Sequence, residues 1–247
     1  MAGGPERLTA HAGDAGVPVV LCVPRGAGPH PLVLVFHGSD GFGPQHVLAA
    51  RLLARSGFAA AVPEWFGATP ARASWGDLRP GDLEAVVAEA GRRPGVDPHR
   101  LAVMGFSRGG GAALLAATVL PGVRGVVNYF GLTAWKRGLG EYRHFRLDPA
   151  DPLGLVARIP CPVLSFHGDR DDIVPVGNTL ALDEACRRHG VGHRVVIYPG
   201  VGHSFVWPGN PLHDPRAHRH SWMLALEFLR ERLGLERPVG AERGGRR

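Results

Sequence analysis

The sequence contains few cysteines for its length. Cys22, Cys161 and Cys186 are the only three in 247 residues, and no two of them have Cys-x-x-Cys spacing. An odd number of widely spaced cysteines, in or beside apolar segments, is not the pattern of a disulfide framework. The chain is therefore expected to belong to a reducing compartment.

Lysine is almost absent. Lys136 is the only one, so that 27 of the 28 basic residues are arginines and give most of the formal charge of +6. These arginines are scattered, apart from a dense group in the tail at 243–247, whereas nucleic-acid-binding modules cluster basic side chains with exposed aromatic ones. We expect no nucleic-acid partner, although an anionic substrate is compatible with the charge.

Long apolar segments are also missing. No run has the length needed to cross a membrane, and the first residues lack the apolar core of a signal peptide. We therefore expect a cytoplasmic protein with no membrane partner. With 45% hydrophobic residues, the chain is long enough for one large core. One domain is expected over 17–235, between an N-terminal segment (1–16) and a C-terminal tail (236–247), both expected to be flexible.

Short apolar runs that are present alternate with segments of helical spacing. Strands are predicted at 17–23, 32–36, 58–62, 101–104, 125–130, 162–166 and 194–198, and helices at 45–56, 82–92, 178–189 and in the closing segment up to Leu233. The turn at 24–31 indicates an antiparallel entry hairpin. The alternation predicts an α/β fold with a mostly parallel central sheet and helices on both faces. Sites in such sheets lie beyond the carboxyl ends of the strands.

The segment Gly105-Phe-Ser-Arg-Gly109 has the pattern of a nucleophile elbow. It lies between a short apolar strand and a helix of small residues, and the turn needs glycine two positions before and two after its serine. A surface loop is the alternative for this common motif, but the flanking strand and helix favour Ser107 as a nucleophile.

A serine nucleophile needs a base, and the base needs an orienting carboxylate. His203 follows the last strand in a glycine-rich loop and is predicted to be that base; its alternative is a hydrogen-bonded loop histidine. Asp169, Asp171 and Asp172 all follow an earlier strand, and spacing alone does not separate them. Acyl transfer also requires N–H donors for an oxyanion.

The predicted oxyanion donors are the backbone N–H groups of Ser39 and Arg108, so that their side chains are incidental to the role. Candidate pocket residues follow other strands, and these are Asp40, Glu64, Trp65, Tyr129 and Trp135. The irregular segment at 132–150 is a candidate lid. Spacing gives His213, His218 and His220 no common helix face, so we expect no metal, and no cofactor is indicated.

Four motifs occur in the order seen in the dienelactone hydrolase family of α/β-hydrolases. They are His37–Gly41, Gly105–Gly110, Gly168–Pro175 and Gly202–Phe205. The chain resembles that family over residues 15–235, which implies an α/β-hydrolase fold. The resemblance maps the family's acid, in a Gly-x-x-Asp-x-x-Val-Pro turn, onto Asp171, and its base onto His203.

Two positions depart from the founding members of that family. They carry a cysteine where this chain has Ser107, and a glutamate where it has Gly38, and both departures argue against a dienelactone substrate. Serine with histidine and aspartate is the general esterase and thioesterase arrangement. The segment Pro215–Trp222 is also weakly similar to the end of acyl-CoA thioesterase and acyltransferase domains of the same superfamily, which keeps a thioester substrate open.

The leading hypothesis is a metal-free serine hydrolase that forms an acyl-enzyme with a small ester, lactone or thioester. An acyltransferase or cyclase using the same three residues is the alternative. A binding protein that has retained the fold without turnover is a third hypothesis, because fold alone does not establish activity. The sequence does not indicate an oligomeric state.

Overall fold

The computed structural model describes residues 4–12, 15–65, 80–134 and 152–236. These residues form one eight-stranded sheet with the order β1-β2-β4-β3-β5-β6-β7-β8. β1 pairs antiparallel with β2, and β2 with β4, while every other pair of neighbours is parallel. The strands are β1 Glu6–Ala12, β2 Ala15–Cys22, β3 His30–Phe36, β4 Ala59–Pro63, β5 Val96–Phe106, β6 Val123–Tyr129, β7 Val163–Gly168 and β8 His193–Tyr198.

Helices cover both faces of this sheet. α1 and α5 contribute to the core on one face, and α2, α3 and α4 contribute to the core on the other. The predicted α/β architecture, with a mostly parallel sheet between two helical layers, is therefore confirmed. The helices are α1 Pro44–Arg55, α2 Pro80–Gly91, α3 Arg108–Val119, α4 Gly177–His189 and α5 Pro215–Leu233, and a 3₁₀ helix spans Pro152–Arg158.

The continuous apolar strands follow from burial on both faces. In β3, Leu32 and Leu34 belong to the core beneath α2, α3 and α4, whereas Val33 and Val35 belong to the core beneath α1 and α5. Successive side chains of a strand point to opposite faces, so that a strand between two helical layers needs apolar residues throughout. The same reasoning applies to the central strands β5, β6 and β7.

The predicted hairpin between the strands at 17–23 and 32–36 is wrong, because these two strands are not neighbours in the sheet. β2 pairs with β1 and β4, and the turn at 24–31 leads from β2 to a strand, β3, that lies two positions away in the sheet. Residues 6–12 were expected to precede the sheet in a flexible segment, yet they form its edge strand. The other predicted helix and strand bounds agree with the structure to within two residues, except that β5 begins at Val96, five residues before the predicted start.

Several predictions fall outside the described residues. These are Trp135, nearly all of the candidate lid, and the tail from residue 237 onward. Among the described helices, none combines the length and apolar character that a membrane span requires.

Glycine at the end of β5 lets α3 approach the sheet. A Cβ at Gly105 would collide with the carbonyl group of Gly109, and a Cβ at Gly109 would collide with the carbonyl groups of Phe36 and His37. Backbone lies against backbone at both positions, so a side chain cannot be accommodated by rotation. The glycines of the motif are therefore required by packing.

We expect Gly105→Ala to lower the free energy of unfolding by about 2 kcal/mol or more, because overpacking against backbone forces the helix from the strand. Gly81→Ala, at the exposed start of α2 with nothing near its Cβ position, is the matched control and should be neutral or slightly stabilising. Urea denaturation followed by circular dichroism measures the free energy of unfolding of each variant. Equal stabilities of the two variants would contradict the packing argument.

Candidate active site

Ser107 forms the turn between β5 and α3 in a strained conformation. Its φ is 55° and its ψ is −121°, a region that residues with a side chain rarely occupy. Its N–H donates to the carbonyl of Tyr129 at 2.9 Å, and its own carbonyl accepts from the N–H groups of Gly110 (2.9 Å) and Leu132 (3.0 Å). Three backbone hydrogen bonds therefore hold the serine at the carboxyl end of the central strand.

His203 lies between this serine and a carboxylate. Its Nε2 is 3.0 Å from the Oγ of Ser107, and its Nδ1 is 2.7 Å from the Oδ2 of Asp171. The ring is nearly buried and packs edge-on against Phe130, with 4.7 Å between ring centroids. The loop after β8 thus brings together three side chains that are separated by up to 96 residues in the chain.

The carboxylate of Asp171 is surrounded by hydrogen-bond donors. Its Oδ1 accepts from the N–H groups of Ile173 (3.0 Å) and Val174 (2.7 Å). Its Oδ2 lies 2.7 Å from His203 and 3.2 Å from the Nε2 of His167. Three N–H groups therefore hold this buried carboxylate in a fixed orientation, while the Nε2 of His167 is closer to the carbonyl of Val174, at 2.8 Å.

This environment sets the charge of Asp171. Burial alone opposes ionisation and is the largest influence, but the hydrogen bonds from His167 and His203, the charge of His203 and the N–H of Val174 together outweigh it. The pKa of Asp171 is lowered to about 2. The side chain is therefore a carboxylate at any pH near neutrality, as an orienting acid requires.

The structure gives each of the three candidate aspartates a different environment. Asp169 accepts the N–H of Gly200 at 2.7 Å through its Oδ1, which ties the turn after β7 to the turn after β8. Asp172 is exposed. Of the three, Asp171 is the one within hydrogen-bond distance of His203.

A cavity of about 710 Å³ opens beside Ser107. It contains the predicted Ser39, Asp40, Arg108 and His203 in its wall. The sequence did not single out several other wall residues, among them His46, Phe130, Leu132, Ile173 and Trp207. Of these, Trp207 could have been found from the sequence, because it lies only four residues after the predicted base His203.

The two predicted oxyanion donors both border this cavity. Arg108 is the first residue of α3, so that its backbone N–H lies at the positive end of the helix dipole. Ser39 follows β3, and its N–H has no acceptor among the described residues. The guanidinium of Arg108 is almost completely buried, which lowers its pKa to about 10.

Three predicted pocket residues are not among those that line the cavity. Trp65 and Tyr129 are fully buried, the first packed edge-on against Phe36 and the second stacked on Phe106. Glu64 instead forms an ion pair with Arg7 at 3.2 Å. Tyr129 supports the wall residues Phe106 and Phe130 from behind. Trp65 instead packs in the core against Phe36 and His37.

Comparison with known proteins gives the family. The model of the dienelactone hydrolase family matches residues 17–233. The chain belongs to this family. A candidate carboxymethylenebutenolidase of Methylorubrum extorquens is 27% identical to this chain. The alignment covers 88% of this chain and 78% of the Methylorubrum protein.

Two further relatives extend the comparison. A protein of Bradyrhizobium sp. named as a probable 2-oxo-3-(5-oxofuran-2-ylidene)propanoate lactonase is 31% identical over 64% of this chain and 61% of its own length. The crystal structure of a candidate dienelactone hydrolase from Klebsiella pneumoniae superposes with a TM-score of 0.78 at 23% identity, over 93% of this chain and 98% of that one. This likeness supports the fold, and family membership makes the protein a hydrolase of the ester and lactone type.

We expect the stability difference between the wild type and Asp171→Asn to depend on pH. A folded pKa of about 2, against an ordinary value of 3.8, stabilises the folded state above about pH 4, and this contribution disappears as the pH falls toward 2. The difference in unfolding free energy should therefore shrink by about 2 kcal/mol between pH 5 and pH 2. Urea denaturation at several pH values measures it.

Asp172→Asn is the matched control, because it removes the neighbouring exposed carboxylate. It should change the unfolding free energy by less than about 0.5 kcal/mol. A difference for Asp171→Asn that stays constant from pH 5 to pH 2 would contradict the assignment of a buried, strongly hydrogen-bonded carboxylate.

Proposed function

We propose that this protein is a serine hydrolase that cleaves small esters, lactones or thioesters through an acyl-enzyme on Ser107. The observation that carries the proposal is the continuous chain of contacts from Asp171 through His203 to Ser107, which ends at the wall of an open cavity. Nucleophile, base and orienting acid in hydrogen-bond reach of one another are the minimum that acyl transfer requires.

In the first half of the reaction, His203 Nε2 accepts the proton of Ser107 as Oγ attacks the carbonyl carbon of the substrate. The N–H groups of Ser39 and Arg108 stabilise the oxyanion that forms. His203 then returns the proton to the leaving oxygen or sulfur as the bond between it and the acyl carbon breaks. Asp171 holds the imidazole in the required tautomer and stabilises its positive charge.

In the second half, water attacks the acyl-enzyme while His203 accepts its proton. The bond between the acyl carbon and Ser107 Oγ breaks, the proton returns to Oγ, and the carboxylic acid leaves. The names of the relatives from Methylorubrum and Bradyrhizobium support lactones as one substrate class. A thioester remains a prediction from the sequence, as do the location in the cytoplasm and the absence of a nucleic-acid partner.

A second serine lies near a histidine and an aspartate elsewhere in the protein. Ser165 Oγ is 2.8 Å from the Nε2 of His193, and the Nδ1 of that ring is 3.2 Å from Asp183, without the alignment of a hydrogen bond. Ser165 is fully buried within β7 and also accepts a hydrogen bond from Asn128. It has no contact with the cavity, and we assign it a structural role.

We expect a fluorophosphonate probe to label wild-type protein at Ser107, and mass spectrometry of the labelled peptide identifies the site. Ser107→Ala should abolish labelling and lower kcat on p-nitrophenyl acetate by about 10⁴-fold or more, because the nucleophile is lost. Ser165→Ala, which removes the buried serine, is the control and should retain labelling. A folded wild type without label on Ser107 would refute the proposal.

We expect a burst of p-nitrophenol, equal to the enzyme concentration, when acyl-enzyme forms faster than it is hydrolysed.

Added alcohol or amine acceptors should leave the carboxylic acid as the main product, because the cavity is open to water. An ester or amide as the main product would instead favour the acyltransferase, and a cyclic product from a hydroxy- or amino-acyl ester would favour the cyclase.

A further inference from the structure

The cavity beside Ser107 receives polar side chains from one side of the sheet. In the strand order, β3 lies on one side of β5, whose end carries Ser107, and β7 and β8 lie on the other. The turn after β3 contributes Ser39 and Asp40 to the cavity wall, and Gln45 of α1 donates to the Asp40 carboxyl group at 2.9 Å. This part of the wall is therefore polar.

The loops after β7 and β8 contribute apolar side chains that are accessible from the cavity. Ile173, in the loop after β7, is 51% exposed. In the loop after β8, Pro208 and Pro211 are exposed and Trp207 is partly buried. All four residues line the cavity, and we call them the apolar rim.

The two loops that carry the apolar rim approach each other closely. A Cβ at Gly202, after β8, would lie 3.7 Å from the side chain of Leu212 and 3.8 Å from the carbonyl of Arg170, after β7. Leu212 is also an exposed apolar residue. Exposed apolar side chains that gather at an open cavity are typical of a binding site.

The exposure of Ile173 follows from the use of its backbone. Its N–H and that of Val174 both donate to the Oδ1 of Asp171, so the turn is fixed by the carboxylate. The side chain of Val174 is buried, whereas that of Ile173 projects from the same turn with half of its surface exposed. Contact with an aliphatic group of a ligand would remove this apolar surface from water, which is favourable.

The position of the base indicates which part of a substrate lies near the apolar rim. In the proposed reaction the Nε2 of His203 returns a proton to the leaving oxygen or sulfur, so the leaving group must lie within hydrogen-bond distance of this ring. Ile173 follows by two residues the acid that holds the ring, Asp171, and Trp207 follows His203 by four. The leaving group is therefore nearer to the apolar rim than the acyl group is.

We propose that the apolar rim binds an aliphatic group in the alcohol or thiol part of the substrate, and that Ile173 determines the preference for it. The inference rests on the proposed hydrolase function. It narrows the substrates to esters and thioesters of aliphatic alcohols or thiols, and to lactones with an alkyl substituent beside the ring oxygen. Ile173 is then a residue that determines specificity, while the reaction itself depends on Ser107, His203 and Asp171.

The test compares methyl acetate with two isomeric esters that are longer by the same number of methylene groups. Butyl acetate carries the extension on the alcohol side, and methyl pentanoate carries it on the acyl side. We expect the wild type to show a kcat/KM for butyl acetate about tenfold or more above that for methyl acetate, because burial of methylene groups against an apolar wall is favourable. A pH-stat measures the acid that is released.

Ile173→Thr keeps the branch at Cβ and replaces the ethyl group by a hydroxyl. We expect it to lower the ratio of butyl acetate to methyl acetate by about threefold or more, and to change the ratio of methyl pentanoate to methyl acetate by less than about 1.5-fold. Ile173→Leu keeps the apolar surface and should preserve both ratios. Leu180→Thr is the matched control, because Leu180 is 53% exposed on α4 and does not line the cavity; it should leave both ratios unchanged.

A purely structural role for Ile173, as a cover for the Asp171 carboxylate, predicts a different result. Its loss would then lower the activity on all three esters without changing their ratios. Unchanged ratios in Ile173→Thr, an equal or larger change on the acyl side, or a wild type that does not prefer butyl acetate would overturn the proposal. Fluorophosphonate labelling of Ser107 separates these outcomes from failure of the proposed function, since a labelled protein with unchanged ratios refutes only the role of the apolar rim.

Discussion

The positive φ of Ser107 is the constraint on which the rest of the site depends. A side chain is held in this conformation only where the surrounding structure fixes the backbone, here by hydrogen bonds to Tyr129, Gly110 and Leu132 and by the close approach of α3 to β3 and β5. The strain places Oγ beyond the end of the sheet, where side chains from neighbouring loops can reach it. The fold therefore requires the small residues of the motif for packing, independently of any role of the serine.

The loop after β7, which carries Asp171, and the loop after β8, which carries His203, are packed against each other and hydrogen-bonded to each other. A Cβ at Gly168 would collide with the carbonyl of Val201, and Asp169 accepts the N–H of Gly200 across the same gap. The ends of β7 and β8 therefore form one unit, within which Asp171 and His203 meet. The Nε2 of His167, at the end of β7, lies 2.8 Å from the carbonyl of Val174 and 3.2 Å from the Asp171 carboxylate, and so supports the turn that carries the acid.

The sequence predicted most of this arrangement because its signals are local. Apolar runs mark buried strands, and glycine marks backbone approach, so the sheet, the elbow and the loop of His203 could be read directly. The partners of β2 could not, because strand order depends on how distant elements pack. Asp40 lines the cavity as predicted, but Glu64, Trp65 and Tyr129 do not. An aromatic residue after a strand, such as Trp65, fits the core as well as the cavity, and the sequence pattern does not distinguish the two.

The two positions that depart from the founding members, Ser107 and Gly38, are neighbours in the structure. A Cβ at Gly38 would lie 3.2 Å from the Cβ of Ser107 and 3.0 Å from the Oδ1 of Asp40, tighter than side chains ordinarily pack. A side chain at this position would therefore require Asp40 or the turn to shift by a few tenths of an ångström. In the proposed mechanism Ser107 is activated by His203, whose Nε2 lies 3.0 Å from Oγ with an ionised carboxylate behind the ring. The activation that this geometry supports is therefore the serine, histidine and aspartate scheme of the proposed function, which needs no side chain at Gly38.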